Sequence, residues 1–177
     1  MRWRATAAAA ALVTSMLVAA GTARAGRSKA IGSISATELR SSEGGELVRF
    51  GDGVGAAITF LELDREFTAG FEGSTMFLAG ADGARLYNLA ISAIAGFGLR
   101  DTAVAPFIIV GLDLAAAAEP HAERDPSKRN VMAGVHGGIG LHGFLSDRVY
   151  WRGQVGFIGA AVGGITGQLA LGYVFGD

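Results

Sequence analysis

From Leu86 to Phe175 the chain repeatedly alternates a large apolar residue with a small or polar one. In the last such segment the large residues are Leu169, Leu171, Tyr173 and Phe175, and the residues between them are Gln168, Ala170, Gly172 and Val174. A period of two is typical of a β-strand whose two faces meet different surroundings. The second face is made of small residues with almost no Lys or Glu, which is not typical of a surface in water. The pattern favours strands that turn a bulky face to lipid and a small face to the inside of a narrow barrel.

Residues 1–25 have the three parts of a secretory signal peptide. Met1–Arg4 is basic, residues 5–20 are largely apolar, and Ala23-Arg24-Ala25 is a small-x-small cleavage site. The apolar run is shorter than the about 20 residues that a transmembrane helix needs. We therefore expect cleavage after Ala25 and one domain over residues 26–177.

Composition excludes several classes of protein. Without Arg2, Arg4 and Arg24 the chain keeps twelve basic and sixteen acidic residues, whereas binding of nucleic acid calls for a basic patch. The chain has no Cys, so neither a disulfide framework nor a thiolate metal site is available. The 28 Gly residues suit a sheet that curls tightly around a confined interior.

The alternation predicts eight strands joined by connections of two kinds. The predicted strands are Lys29–Arg40, Gly53–Leu63, Glu66–Leu78, Arg85–Leu99, Ala103–Ala116, Asn130–Leu145, Val149–Gly159 and Ile165–Gly176, and the second begins near Glu46 if Val48 and Phe50 share its phase. Short turns and longer connections follow one another, with longer ones near 41–52, 79–84, 117–129 and 160–164. Outer-membrane barrels have short periplasmic turns and longer outer loops. The prediction is an all-β, eight-stranded, antiparallel up-and-down transmembrane barrel.

The numbering of the bulky residues gives a second test of this topology, because a one-residue slip would turn a strand inside out. Bulky residues are at even positions in the second strand and at odd positions in the third. A two-residue turn at Asp64-Arg65 keeps both sets on one face and pairs Phe60 with Ala69. A three-residue turn at 146–148 does the same for the sixth and seventh strands and places His142 opposite Arg152.

Two other architectures fit less well. The best helical span, Val104 to Ala118, contains Pro106 and Asp113 and ends after 15 residues. A soluble periplasmic barrel that binds a small apolar ligand would turn its large residues inward. Its surface would then be Gly, Ala and Ser with few charges, which is a poor surface for water.

Three segments resemble strands of the small OmpA-like and OmpX-like outer-membrane barrels. They are Gly138–Arg152, which has a Gly-rich strand, a polar turn and a return strand, Leu169–Gly176, and Pro106–Leu112. The resemblance covers Leu86 to Asp177. It implies a monomer in the outer membrane of a Gram-negative cell, surrounded by outer-membrane lipid and inserted by the barrel assembly machinery. Such barrels often end in an aromatic residue, whereas here Gly176 and Asp177 follow Phe175.

A few ionisable residues are on the small face and should therefore lie in the lumen. They are Glu72, Asp113, His136, His142 and Arg152. Because an eight-stranded barrel is just wide enough for side chains, charges inside it need partners. We predict a polar network centred on Glu72 and Arg152, with Asp113 and His136 as a second pair. It is either a proton-sensitive gate or a satisfied polar core.

Tyr87, Trp151 and Tyr173 are candidates for the aromatic girdles that lie at headgroup depth, although they are also explained as ordinary lipid-facing bulk. The most polar stretch is the connection Ala117–Arg129, which includes Glu119, Arg124 and Lys128. This connection is either an exposed contact surface for lipopolysaccharide, divalent ions or a partner, or a solvated link.

No catalytic, cofactor or metal site is expected from the sequence. One class of eight-stranded outer-membrane barrels that modify lipid A uses a His and a Ser close together on the lipid-facing side, supported by a carboxylate. Here His136 and His142 are assigned to the lumen together with Ser74 and Ser92, and His121 is in a loop. His136 and His142 are also six residues apart, which is not a usual metal-ligand spacing. The expected role is non-enzymatic, either structural or in surface contact; a lipid A-modifying enzyme is the alternative.

Overall fold

In a computed structural model the chain forms one closed barrel of eight antiparallel strands. The structure describes residues 28–43, 46–63, 66–80, 83–98, 103–118, 129–159 and 163–175, so the predicted signal peptide lies outside the described residues. The strands are β1 (Ser28–Glu43), β2 (Glu46–Leu63), β3 (Phe67–Gly80), β4 (Arg85–Phe97), β5 (Val104–Ala118), β6 (Arg129–Ser146), β7 (Val149–Ile158) and β8 (Gly164–Phe175).

Each strand pairs with its neighbour in sequence, and β1 closes the sheet by pairing with β8. The predicted up-and-down barrel is therefore confirmed. We call the end with the connections β2–β3, β4–β5 and β6–β7 the turn end, and the opposite end the loop end. Within the described part of the chain, no helix is long and apolar enough to cross a membrane.

The two faces of the sheet are divided as the alternation predicts. Along β4 every second residue is buried and every other one is exposed. Leu169 and Leu171 of β8 are 70% and 58% exposed, and Leu89 and Ile91 of β4 also point outward. The bulky face is thus the outer surface. A soluble barrel that binds a ligand inside would require the opposite arrangement.

The predicted strand bounds differ most at the β1–β2 hairpin. A longer connection was expected near residues 41–52, but β1 continues to Glu43 and β2 begins at Glu46. The register shifts between Leu39, which faces Gly51, and Arg40, which faces Arg49, and this shift leaves Phe50 as an extra residue. An inserted residue of this kind changes the phase of the alternation at the bulge. Phe50 therefore packs against an interior cluster instead of sharing the outer face of Val54.

Two register predictions have different outcomes. His142 faces Arg152 across the β6–β7 hairpin, as predicted. Phe60 faces Phe71 instead of Ala69, because four residues separate the last pair of the β2–β3 hairpin, Leu63 and Thr68. A shift of two residues leaves every side chain on its own face, so the numbering of bulky residues cannot detect it.

The strands are tilted, and the tilt sets the height of the apolar exterior. Following cross-strand partners from Glu38 through β8 and on around the barrel returns to β1 at Ser28, which is a shear of ten residues. Ten residues also separate the outward-facing Asp52 and Glu62 on β2, and the outward residues between them are apolar. At about 3.3 Å per residue and a tilt of about 40°, this band is about 25 Å high.

The closing pair of strands can be tested by crosslinking, since the chain has no Cys of its own. Ile34 of β1 faces Leu171 of β8, and both side chains point outward. We expect the double variant I34C/L171C to be joined by a short bismaleimide once the protein is folded in detergent. In the control pair I34C/A170C the two side chains lie on opposite faces, so we expect no crosslink. Equal yields from the two pairs would contradict the β1–β8 register.

Candidate functional site

The interior of the barrel has three layers. Near the turn end, a turn-side plug consists of the buried apolar residues Ile31, Leu61, Leu63, Ile94, Ala105, Phe107, Ile109, Tyr150 and Val174. Near the loop end, a loop-side cap consists of Leu39, Leu78, Leu86 and Ala115, with Phe50, Met76 and Ala117 packed against it. The layer between them holds most of the buried polar side chains, and it is the candidate site.

A charge pair spans the polar layer from β3 to β7. The Arg152 guanidinium donates through Nη2 to Glu72 Oε1 at 3.1 Å and through Nη1 to Glu72 Oε2. The Thr59 hydroxyl adds a third hydrogen bond to Glu72 Oε2 at 2.7 Å. The Glu72 and Arg152 side chains are only 3% and 2% exposed. This is bidentate pairing, the strong form of an Arg–carboxylate contact, and it compensates both buried charges.

The turn-side plug packs against this pair on the side of the turn end. The Phe107 ring lies under the Arg152 guanidinium, with 5.9 Å between the central carbon and the ring centroid. That distance is within the range of a cation–π contact. The ring has room because Gly140 has no side chain, and a Cβ there would lie 2.7 Å from a ring carbon of Phe107. A glycine in the wall is thus part of what positions the arginine.

His142 is also buried, but its hydrogen bond goes to the plug. Its Nδ1 lies 3.1 Å from the Tyr150 hydroxyl oxygen, and its ring packs on Phe107 with 4.8 Å between centroids. Its side chain has no exposed surface. The structure thus places His142 beside Arg152 in register but at the top of the turn-side plug, where it packs with aromatic rings.

The structure does not join Asp113 to His136. Neither oxygen of the Asp113 carboxylate has a hydrogen-bond partner in the described protein, although the residue is only 4% exposed. The partner of Asp113 on β6 is Gly134, while His136 faces Gly111, so the two side chains are offset by two residues along their strands. The predicted second pair is therefore not a direct contact.

His136 instead meets a serine that the sequence did not associate with it. Its Nε2 lies 2.8 Å from Ser92 Oγ. Ser92, Gly111 and His136 are on one line of cross-strand partners over β4, β5 and β6. Because Gly111 has no side chain, the His136 ring crosses it; a Cβ on Gly111 would lie 2.6 Å from the ring. The sequence feature that could have indicated this contact is a glycine between two lumen residues on neighbouring strands. It can be recognised only when the register of the three strands is known.

The Ser92–His136 contact lacks what nucleophilic catalysis requires. No carboxylate bonds to His136 Nδ1 in the described structure, so the third member of a triad is missing. The adjoining cavity has a volume of about 60 Å³, room for about two water molecules. Substrate pockets usually measure about 300–1,000 Å³.

The cavity itself is polar. Its lining includes Ser35, Thr37, Asn88, Gln154 and Gln168, and the Gln168 amide donates to Ser35 Oγ at 2.8 Å. Among the described residues, no group of three or more His, Asp or Glu side chains is placed to hold a metal ion.

Comparison with known proteins shows the fold. No protein-family model matches the sequence, and no curated protein sequence matches it. Among solved structures, the chain is similar to Ail, the attachment invasion locus protein of Yersinia pestis, with a TM-score of 0.60, 12% identity, and coverage of 85% of this chain and 99% of Ail. The chain is also similar to the N-terminal β-barrel domain of Pseudomonas aeruginosa OprF, with a TM-score of 0.59, 18% identity, and coverage of 82% of this chain and 97% of the OprF domain. For Neisserial surface protein A the TM-score is 0.53 and the identity 16%, with coverage of 82% of this chain and 95% of that protein.

The fold is that of a small outer-membrane β-barrel. The resemblance found in the sequence is consistent with these neighbours, which are barrels of this kind. At these identities the likeness extends to the fold alone. Ail has also been solved in complex with the heparin analogue sucrose octasulfate, with a TM-score of 0.60 to this chain.

The candidate girdle residues lie towards the two ends of the barrel. Tyr87 is near the loop end and packs against Phe77, with 4.9 Å between ring centroids. Trp151 and Tyr173 are near the turn end, where Arg148 donates to the Tyr173 hydroxyl at 3.0 Å. A tyrosine with an apolar ring and a hydrogen-bonded hydroxyl suits headgroup depth. Their role as membrane anchors stays a prediction.

Breaking the buried charge pair should strongly destabilise the barrel. Arg152→Leu leaves the Glu72 carboxylate buried without a counter-charge, so we expect a loss of about 3–5 kcal/mol in the free energy of unfolding. The double variant E72L/R152L leaves no buried charge and should recover most of that loss. Urea unfolding in detergent micelles, followed by heat-modifiable gel mobility, measures both. Arg148→Leu, a change of the same kind at an exposed arginine, is the control and should change little. Equal effects of R152L and R148L would contradict this account.

Proposed function

We propose that this chain is an integral outer-membrane barrel with a structural or surface-contact role and no enzymatic activity. The observation that carries the proposal is its continuous apolar exterior, which ends in charged residues on both sides, Asp52 towards the loop end and Glu62 at the turn end. Its height of about 25 Å matches the apolar band of outer-membrane barrels. In water, the twenty-seven large apolar side chains that are exposed among the described residues would make the protein aggregate.

The lumen network is assigned a structural role. A gate needs two arrangements that exchange, whereas Glu72 is held by the two terminal guanidinium nitrogens of Arg152 and by Thr59. The turn-side plug fills the lumen below this pair, which argues against a water-filled pore. The polar layer therefore acts as a core that holds opposite walls of the barrel together.

Surface contact is assigned to the loop end. The predicted polar connection 117–129 falls mostly outside the described residues, and its sequence contains Glu119, Glu123, Arg124, Asp125, Lys128 and Arg129. Basic side chains there would contact the phosphates of lipopolysaccharide. Ail, a barrel of the same fold, has been solved with a sulfated sugar, which supports contact with an anionic saccharide as a use of such a fold.

Export, insertion and oligomeric state are assigned from the proposed location in the outer membrane. Residues 1–25 would direct export and be cleaved, and the barrel assembly machinery would insert the strands. A closed sheet leaves no unpaired edge for another copy, which favours a monomer. The lipid A-modifying alternative loses support, because the Ser–His contact in the described structure lies inside the barrel and faces the lumen.

A charge on the outer surface should cost most at mid-membrane. Ile139 and Val131 are both on β6 and both 66% exposed, but Ile139 lies at the middle of the strand and Val131 near the loop end. We expect Ile139→Arg to lower the free energy of unfolding in phospholipid vesicles by about 2–4 kcal/mol, and Val131→Arg by about 1 kcal/mol or less. Two equal losses would show that the exterior does not span the bilayer.

The contact role can be separated from folding by exchanging loops. Replacing residues 119–128 with a Gly-Ser linker of the same length should lower affinity for lipopolysaccharide micelles at least tenfold, because it removes the charged side chains. The unfolding midpoint should remain the same, since the strands are retained. The control replaces residues 160–162, which carry no charge, in the same way. Unchanged affinity in the first variant would contradict the contact role at this loop.

A further inference from the structure

A groove crosses the outer surface of the barrel over β6, β7, β8, β1 and β2, and we call it the exterior groove. It has a volume of about 730 Å³ and follows two adjacent lines of cross-strand partners. The first line consists of Leu141, Gly153, Leu169 and Ala36, and the second of Ile139, Val155, Gly167, Glu38 and Asp52. All these positions are on the outer face of the sheet, so the groove opens to the surroundings of the barrel.

The exterior groove exists because small residues interrupt the bulky outer face. A Cβ on Gly167 would have no atom beyond its chain neighbours within 4 Å, so the space above this residue is open. Two lines of larger side chains border the groove, namely Trp151, Leu171 and Ile34 towards the turn end, and Phe157, Ile165 and Arg40 towards the loop end. An empty depression in hydrocarbon would lose dispersion contacts on its floor. A lipid chain lying between the two borders would restore these contacts.

The exterior groove descends from the loop end of the apolar band to its middle. A line of cross-strand partners shifts by ten residues in one circuit of the barrel, so it falls about 25 Å over eight strands. Over the four steps from Asp52 to Ile139 it falls about 12 Å. Half of the hydrocarbon core of a bilayer is about 15 Å thick. The groove therefore has the depth of one acyl chain in a single leaflet.

Charged residues at the loop end of the exterior groove follow one another in a definite order. Glu38 and Asp52 face each other across β1 and β2, and Arg40 is two residues farther towards the loop end, where it faces Arg49. Arg40 donates through Nε to Glu38 Oε1 at 2.9 Å, and its side chain is 56% exposed. This bond uses one of five N–H donors and orients the guanidinium, whose terminal nitrogens form the fork that suits a phosphate.

The order of these groups favours one class of lipid. In a phospholipid the phosphate is the first polar group beyond the glycerol esters, where the two carboxylates of the groove would repel it. In lipid A the acyl chains are attached to glucosamine, so amide N–H and hydroxyl donors lie between the chains and the phosphates. Carboxylates only accept hydrogen bonds, and guanidinium groups only donate them. Carboxylates followed by arginine therefore match donors followed by phosphate.

We propose that the exterior groove binds one acyl chain of lipid A, the lipid part of lipopolysaccharide. The chain lies over Gly167 between the two borders, Glu38 accepts a hydrogen bond from the glucosamine, and Arg40 binds a phosphate. This inference rests on the proposed location in the outer membrane. It adds a site on the barrel wall to the contact proposed for the connection 117–129, and the two sites recognise different parts of the same molecule.

Trp151 can report on the occupant, because it lines the groove and the only other tryptophan of the chain is Trp3. The test uses the full chain with Trp3→Phe in vesicles of brominated phosphatidylcholine, whose chains quench Trp151, and adds unlabelled lipids. We expect lipid A to restore fluorescence with a relative affinity at least tenfold above that of phosphatidylethanolamine or phosphatidylglycerol. Gly167→Leu fills the groove and should abolish this preference, and Arg40→Gln should lower it at least threefold.

Matched variants separate the groove from general lipid contact. Ala93→Leu adds the same side chain to the outer face of β4, on the wall opposite β8, and Arg148→Gln removes an exposed arginine at the turn end. Both should keep the preference for lipid A, and so should the exchange of residues 119–128.

The proposal is overturned if the phospholipids displace the brominated lipid as well as lipid A does, or if G167L keeps the preference. It is also overturned if the loop exchange abolishes the preference, since the site would then be in the connection. Heat-modifiable gel mobility shows separately that each variant is folded and inserted, so failure here leaves the proposed function standing.

Discussion

Closure of the sheet by β1 and β8 is the constraint on which the rest of this structure depends. In hydrocarbon, backbone N–H and C=O groups have no water to bond, so a sheet within a membrane must leave no edge. Eight tilted strands satisfy this condition with a shear of ten residues, and the resulting interior is just wide enough for side chains. The bulky residues then have only the outside available to them, which is why the exterior is apolar.

The narrow lumen allows buried charged side chains on opposite walls to pair with each other. Glu72 and Arg152 are on strands that do not neighbour each other, yet their side chains meet because the barrel is small. Glycines in the wall contribute by having no side chain: Gly140 accommodates the Phe107 ring beneath Arg152, and Gly111 allows His136 to reach Ser92. The high glycine content is therefore connected to the placement of the polar side chains as well as to curvature.

The buried charges of the polar layer are not equally compensated, and this distinguishes its turn-side half from its loop-side half. On the turn side, the charges of Glu72 and Arg152 are compensated and packed on the plug. On the loop side, Asp113 keeps a carboxylate without a protein partner. The contrast arises because Arg152 reaches one carboxylate and not both.

The alternation along the chain was sufficient to determine the strands, their number, the outward face and the Glu72–Arg152 neighbourhood, because these depend on a period of two and on the parity of short turns. Register shifts of two residues, the bulge at Phe50 and the contact between Ser92 and His136 did not follow from it. An even shift keeps every side chain on its face and so leaves no trace in the pattern, and a contact across a glycine exists only when three strands are in register. Apart from the bulge at Phe50, the sequence alone therefore determined on which side of the barrel the residues of the strands lie. The tertiary structure decided which lumen residues meet, since that depends on the shear with which the sheet closes.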